Sequence, residues 1–146
     1  MTVCLNGEEV AKKIGDAFPN SIDIADKATI IAKSEYLYQI AEFLKNNSDL
    51  KFDYLANQVA VDYMDYFEVV YNLVSLEYNH SLTLKVRCND RENPTLPSVV
   101  SLWRTADYQE REIYDLMGIT FTGHPNLKRL FLWEGFPGHP QRRDYL

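Results

Sequence analysis

Apolar positions follow a helical period at the start of the chain, a period of two in the middle, and a helical period again near the end. Val10, Ile14, Ala17 and Phe18 share one helical face. Asn6 stands where an N-cap belongs, with Glu9 placed to reach back to it, and Pro19 stops the run. Residues 28–33 predict a short strand. Ser34 is then expected to cap a second helix, in which Leu37, Ile40, Ala41 and Leu44 follow the i, i+3, i+4, i+7 rule until Asn46-Asn47 ends it. Residues 57–62, 66–77 and 81–88 predict strands. The last alternates most cleanly, with Leu82, Leu84, Val86 and Cys88 on one side and Ser81, Thr83, Lys85 and Arg87 on the other. Short links at Met64-Asp65 and Asn79-His80 predict an antiparallel meander.

Beyond Cys88, residues 89–97 predict a loop and 98–103 a helical turn ending near Trp103. Thr105 is expected to cap a helix from Ala106 to Met117, with Gly118 as a left-handed C-cap followed by apolar Ile119. Glycines and prolines then recur closely. They predict a short strand near Ile119–Phe121, a helical turn at 126–132 and otherwise ordered coil. The fold class that follows is α+β: an antiparallel sheet of about four strands with helices packed on one face, then a C-terminal helix and an extended Gly/Pro-rich tail. Residues 1–118 are expected to form the α+β domain, and 119–146 an extended segment of the same domain.

Composition narrows the function classes. The 146 residues are 46% hydrophobic and 25% charged, enough for a real core. A net charge of −6 argues against general affinity for nucleic acid or anionic membrane. Residues 123–146 hold four basic and two acidic side chains, a net of +2, which leaves −8 for the first 122. A basic segment on an acidic body hints at docking. Cys4 and Cys88 share no ligand spacing, so a structural zinc or iron–sulfur site is not expected. Two free thiols suit a reducing cytosol. No signal peptide is evident, and no apolar run approaches the ~20 residues of a membrane span. The expectation is a soluble chain that meets a membrane only through a partner.

Candidate chemistry concentrates in the last third. Ala106, Glu110, Ile113 and Met117 fall on one stripe, so Glu110 is a carboxylate in an apolar seam. One reading is a carboxylate that snorkels to solvent beside a solvated charge ladder; the other is a partly buried one that must find partners there. His124, Arg104, Arg129 and the pair Arg142-Arg143 are the candidates, along with backbone donors. Asp107, Arg111 and Asp115 are spaced to form a charge ladder. Gly-His-Pro occurs twice, as Gly123-His124-Pro125 and Gly138-His139-Pro140. A metal site is one reading, but the two histidines are spaced fifteen apart with no cysteine beside them, which matches no ligand motif. A free-standing acid–base enzyme is another, using His124 or His139 with Glu110 or Glu112. No glycine-rich nucleotide cradle is present. The third reading is structural: glycine permits unusual backbone angles, proline extends the histidine before it, and each copy is a bend pinned by its imidazole.

The run EREIYDLMGITFTGHPNLKRLF followed by WEGFPGHPQRRDY resembles the signature of the 30 kDa-type subunit (the C subunit) of respiratory complex I, NADH–quinone oxidoreductase. Glu110, Arg111, Glu112, Asp115, Leu116, Gly118, Ile119, Phe121, Gly123, His124, Pro125, Leu127, Arg129, Gly138, His139, Pro140, Arg142, Asp144 and Tyr145 match it, and Lys128 and Arg143 keep its charge. Met117, Asn126 and Leu146 depart from it. Residues 61–63, 67–76 and 82–86 also look like this family. The resemblance is tight over 98–145 and fainter upstream.

The resemblance implies a subunit with no catalytic residue and no cofactor or metal of its own. Iron–sulfur clusters and flavin would lie in partner subunits, with NADH and quinone as substrates of the whole complex. Its partners would be subunits D and B, in the peripheral arm on the cytoplasmic side of the cell membrane. Residues carried over for structure and docking are Glu110, Arg111, Glu112, Asp115, Gly118, Gly123, His124, Pro125, Arg129, Gly138, His139, Pro140, Arg142, Arg143 and Asp144. An equivalent subunit of a membrane-bound hydrogenase or related ferredoxin-dependent complex is the alternative within the same resemblance.

Overall fold

The computed structural model describes residues 2–133 and 135–144; Glu134, Tyr145 and Leu146 lie outside them, as does Met1. The strands are β1 (Val3–Cys4), β2 (Ile22–Ala25), β3 (Thr29–Ala32), β4 (Tyr54–Asp62), β5 (Phe67–Ser75), β6 (His80–Cys88), β7 (Thr95–Pro97) and β8 (Thr120–Thr122). The helices are α1 (Gly7–Ala17), α2 (Leu37–Asn46) and α3 (Ala106–Met117). The chain is α+β, as its periodicity predicts.

The meander β4-β5-β6 pairs antiparallel throughout, with Gln58 opposite Tyr71 and Val69 opposite Val86. Its two turns are made by Met64 and Asn79 at positive φ. The sheet is larger than the expected four strands and is mixed. Its order is β2-β3-β6-β5-β4, with β1 also on β6. Both β1 and β3 run parallel to β6, while β2 folds back antiparallel on β3. Such parallel pairings are closed by long crossovers rather than tight turns, so no local turn signal announces them.

Phe67, Val69, Tyr71 and Leu73 of β5 and Leu82, Leu84 and Val86 of β6 form one buried cluster with residues of all three helices. The helices therefore cover one face. The other face carries the half-buried Lys85 and Arg87, with Glu68 enclosed between them at 3.7 and 3.4 Å.

Three local expectations change. Asn6 does cap α1, but it accepts from the amide of Glu8. Ser34 opens a short 3₁₀ turn ahead of α2 instead of capping it through its side chain. Thr105 precedes α3 without capping it, because its hydroxyl donates to the Leu55 carbonyl at 2.8 Å and ties the helix to β4. The segment 89–97 also contains β7, which pairs in parallel with β8 and sets Leu96 beside Phe121 in the core.

Candidate functional site

Helix α3 is the axis of the site. Its apolar stripe lies against the sheet, and Glu110 on that stripe is 0% exposed. The carboxylate is satisfied locally. Its Oε1 accepts from the Ser98 hydroxyl at 2.6 Å, and its Oε2 accepts from the Val99 amide at 3.0 Å and Gln58 Nε2 at 3.4 Å. The expected arginine partners do not reach it, and neither does His124 by hydrogen bond. Ser98 and Val99 begin the turn that precedes α3, so Glu110 staples its own helix to that turn. Burial raises its pKa, and the Ser98, Val99 and Gln58 donors only partly offset this.

Asp115 sits on another side of α3 and is also fully buried. The ladder expected of Asp107, Arg111 and Asp115 does not form. Asp115 Oδ2 instead accepts from three successive amides, those of Leu130 (3.2 Å), Phe131 (2.7 Å) and Leu132 (3.0 Å). Its Oδ1 is 3.2 Å from Arg129 Nη1. Segment 126–132 is consequently a bend wrapped on a carboxylate, and not the helical turn expected from its sequence. Burial alone would raise the Asp115 pKa, but the three amides and Arg129 outweigh it and hold the group below its usual range. Arg111, freed from the ladder, donates to the carbonyls of Lys128 and Arg129.

The chain after α3 is laid on the helix by the two Gly-His-Pro copies. Gly118 ends α3 at φ 80°, and Gly123 turns the chain at φ 87°. His124 Nδ1 accepts from the Asn126 amide, so the proton sits on Nε2. Nε2 donates to the main-chain oxygen of Asp107 at 3.1 Å, with Asp107 Oδ1 at the same distance. Contacts then advance along α3 from Asp107 through Arg111 to Asp115. Gly138 makes the second bend at φ 81°. From there the strap meets the helix's last carbonyls, which have no partner within the helix. His139 Nδ1 donates to the Asp115 carbonyl at 3.0 Å, the Gln141 amide to Leu116 at 2.9 Å, and Arg142 Nε to Met117 at 2.6 Å. Arg129 and Arg142 bring positive charge to this end, where the helix dipole favours it.

The end of the strap is fastened to the sheet by residues that sequence reasoning missed. Asp62, the last residue of β4, takes Arg91 in a bidentate pair at 2.6 and 3.1 Å and also accepts the Arg143 amide at 2.9 Å. The Arg91 hydrogen bond is the main cause that holds the Asp62 carboxyl far below its usual range. Arg91 reaches on to Asp144 at 3.1 Å. The guanidinium groups of Arg91 and Arg142 both lie over the Phe67 ring, at 4.6 and 5.0 Å. The remaining site residues, Glu112, Pro125 and Arg143, are exposed, and Pro140 is half-buried. Neither histidine hydrogen-bonds Glu110 or Glu112 among the described residues. Among them, no group of three or more His, Cys, Asp or Glu is placed to hold a metal ion, and no helix is long and apolar enough to cross a membrane.

An α+β domain that straps its C-terminal segment around one helix, through contacts within the chain, is the class that fold and site define. The chain belongs to the respiratory-chain NADH dehydrogenase 30 Kd subunit family, whose model matches residues 30–146. The NADH-quinone oxidoreductase C subunit of Roseiflexus sp. (strain RS-1) is 38% identical over 140 residues, covering 94% of this chain and 80% of the relative. Among solved structures, the trypsin-resistant fragment of Nqo5 (residues 1–134) superposes with a TM-score of 0.64 at 31% identity, over 81% of this chain and 98% of the fragment. A chain of the membrane-bound sulfane sulfur reductase, an archaeal respiratory membrane complex, shares the fold with a TM-score of 0.75 at 20% identity, over 94% of this chain and 84% of its own. Complex I-type subunits thus resemble the chain in both sequence and fold.

Proposed function

We propose that the chain is a non-redox peripheral-arm subunit of a proton-translocating NADH–quinone oxidoreductase. It supports assembly by docking subunits D and B, which shape the quinone site. Flavin and iron–sulfur clusters belong to its partners, and NADH and quinone are substrates of the complex. It resides on the cytoplasmic side of the membrane and contacts lipid only through other subunits. The observation that carries this reading is the family match, which spans the whole of α3 and its strap. The geometry supports it: His124, His139, Arg129 and Arg142 are all turned inward to hold the strap's path, which suits a scaffold better than an acid–base centre.

The alternative within the same resemblance is the equivalent subunit of a membrane-bound hydrogenase or related ferredoxin-dependent complex. Sequence identity favours the NADH–quinone reading, at 38% to the Roseiflexus C subunit over 94% of this chain. Deleting the gene and assaying membranes for donor-dependent quinone reduction tests the proposal. The expected result is loss of NADH-driven activity, restored by supplying this chain. Undiminished NADH-driven activity in the deletion strain would refute it, and loss of ferredoxin-driven activity alone would select the alternative.

A further inference from the structure

Two of the four cations that would make the C-terminal segment a basic docking arm, Arg129 and Arg142, are committed inside the chain. Arg129 holds Asp115 and the Gly138 carbonyl, and Arg142 holds Met117. What this side of the molecule turns outward is aromatic. Phe131 is 63% exposed, Trp133 65% and Tyr108 64%. These rings are held by ordered supports. The Phe131 amide is the closest of the three on buried Asp115. The Trp133 ring meets Phe136 edge-on at 5.7 Å, and Phe136 lies under the Arg129 guanidinium at 5.7 Å. Tyr108 lies under Arg111 at 5.7 Å, and Arg111 is bonded to the Lys128 carbonyl. Lys128, three residues before Phe131 in the chain, has an exposed side chain. Large rings presented on a pre-organised support are the residue type and setting that dominate protein–protein binding energy.

We infer that Phe131 and Trp133 form an aromatic anchor that inserts into an apolar pocket of a neighbouring protein subunit, with an acidic rim facing Lys128 and Arg111. This rests on the proposed function. Charge supports a protein partner over an anionic membrane: the first 122 residues carry −8 and would be repelled by such a surface. Complementary charge at the rim sets register and encounter rate, and the rings supply the affinity.

Hydroxyl-radical footprinting of the full chain, alone and in the purified complex, tests this without mutation. Phe131, Trp133 and Tyr108 are expected to oxidise in the isolated chain and to lose most of that reactivity in the complex. A Phe131→Ala/Trp133→Ala double variant is expected to keep the thermal midpoint of the isolated chain and to lower recovery of the partner subunits at least about tenfold. Lys128→Glu is expected to weaken recovery mainly at low salt. Equal oxidation in the two states overturns the inference, as does full recovery with the double variant. So does protection of the rings by a second copy of the chain or by anionic lipid vesicles. If the double variant unfolds, the footprint of the unmutated chain decides. A wild-type chain that recovers no partner subunits overturns the functional reading itself, whereas recovery without ring protection overturns the anchor alone.

Discussion

The carboxylate of Asp115, near the end of α3, accepts the amide of Phe131 at 2.7 Å, sixteen residues along the chain. With the neighbouring amides of Leu130 and Leu132 and the Arg129 guanidinium, this makes one buried side chain the hub of the strap. Asp115→Ala is predicted to destabilise the chain by roughly 3 kcal/mol, the scale for leaving a buried partner charge and its donors unmatched. Asp115→Asn keeps an acceptor and is predicted to lose about half as much. Thermal unfolding measures the loss, and limited proteolysis checks that new cleavage falls between residues 123 and 144. Unchanged cleavage in Asp115→Ala would contradict the hub role.

Glu110 gives a pH signature of opposite sign to the aspartates. Its pKa is raised by burial, so its contribution is full below the ordinary value of 4.5 and is lost as pH rises through the raised value. Asp62 and Asp115 are depressed, so theirs is full above the ordinary carboxylate range and is lost as pH falls through their lowered values. Glu110→Gln can keep the Val99 bond and reverse the sense of the Ser98 bond. Its stability relative to wild type is predicted to rise as pH goes from about 4.5 to 8. Glu110→Ala leaves the Val99 amide and Ser98 hydroxyl unmatched, at about 1–3 kcal/mol. Unfolding midpoints of both variants across that range check this; a wild-type advantage over Glu110→Gln that grows with pH would refute it.

Two glycines separate backbone strain from steric conflict. Both Gly118 and Gly123 are left-handed, but a Cβ on Gly118 would lie 2.6 Å from His139 Cδ2 and 2.7 Å from Arg142 Nη2, while one on Gly123 meets nothing within 4 Å. Gly123→Ala is predicted to lose about 1–2 kcal/mol, the backbone penalty alone. Gly118→Ala is predicted to lose more and to push the second bend off α3. Denaturant unfolding gives both values, and equal losses would contradict the packing of His139 and Arg142 against the helix end.

The adjacent arginines are predicted to part company. Arg142 bonds Met117 and covers Phe67, whereas Arg143 engages Asp62 only through its amide and its side chain is exposed. Arg142→Glu is therefore expected to lower the thermal midpoint of the isolated chain by several degrees. Arg143→Glu is expected to leave it unchanged and to weaken docking in a salt-sensitive way. Equal midpoints for the two variants would show that Arg142 is not part of the fold.

Sequence pattern reveals the parts whose partners are close along the chain. The limits of α3, its Gly118 cap and the β4-β5-β6 meander follow from periodicity and turn chemistry, and so does the place of Glu110 on the apolar stripe, whereas its complete burial needs the fold. It does not reveal contacts that depend on distant backbone. Glu110 is answered by Ser98 and Gln58, Asp115 by amides of 130–132, and Asp62 by Arg91 and the Arg143 amide. An amide carries no residue signature, so Asp115 resembles one rung of a charge ladder. Thr105 and Ser34 look like caps because a hydroxyl before a helix usually is one, but the Thr105 hydroxyl goes to the Leu55 carbonyl. The two histidines are legible as bends from Gly and Pro, while the carbonyls that receive them are not.

The proposed role is that of a redox-silent subunit held in an electron-transferring complex through α3 and its strap. Affinity purification of the tagged chain from source membranes tests it most directly, with subunits identified by mass spectrometry and iron, acid-labile sulfide and flavin assayed in parallel. Stoichiometric recovery with iron–sulfur and flavin subunits of an NADH–quinone oxidoreductase is expected, with none of these cofactors on the chain purified alone. A chain recovered by itself from those membranes, or one carrying its own cluster or flavin, would contradict it.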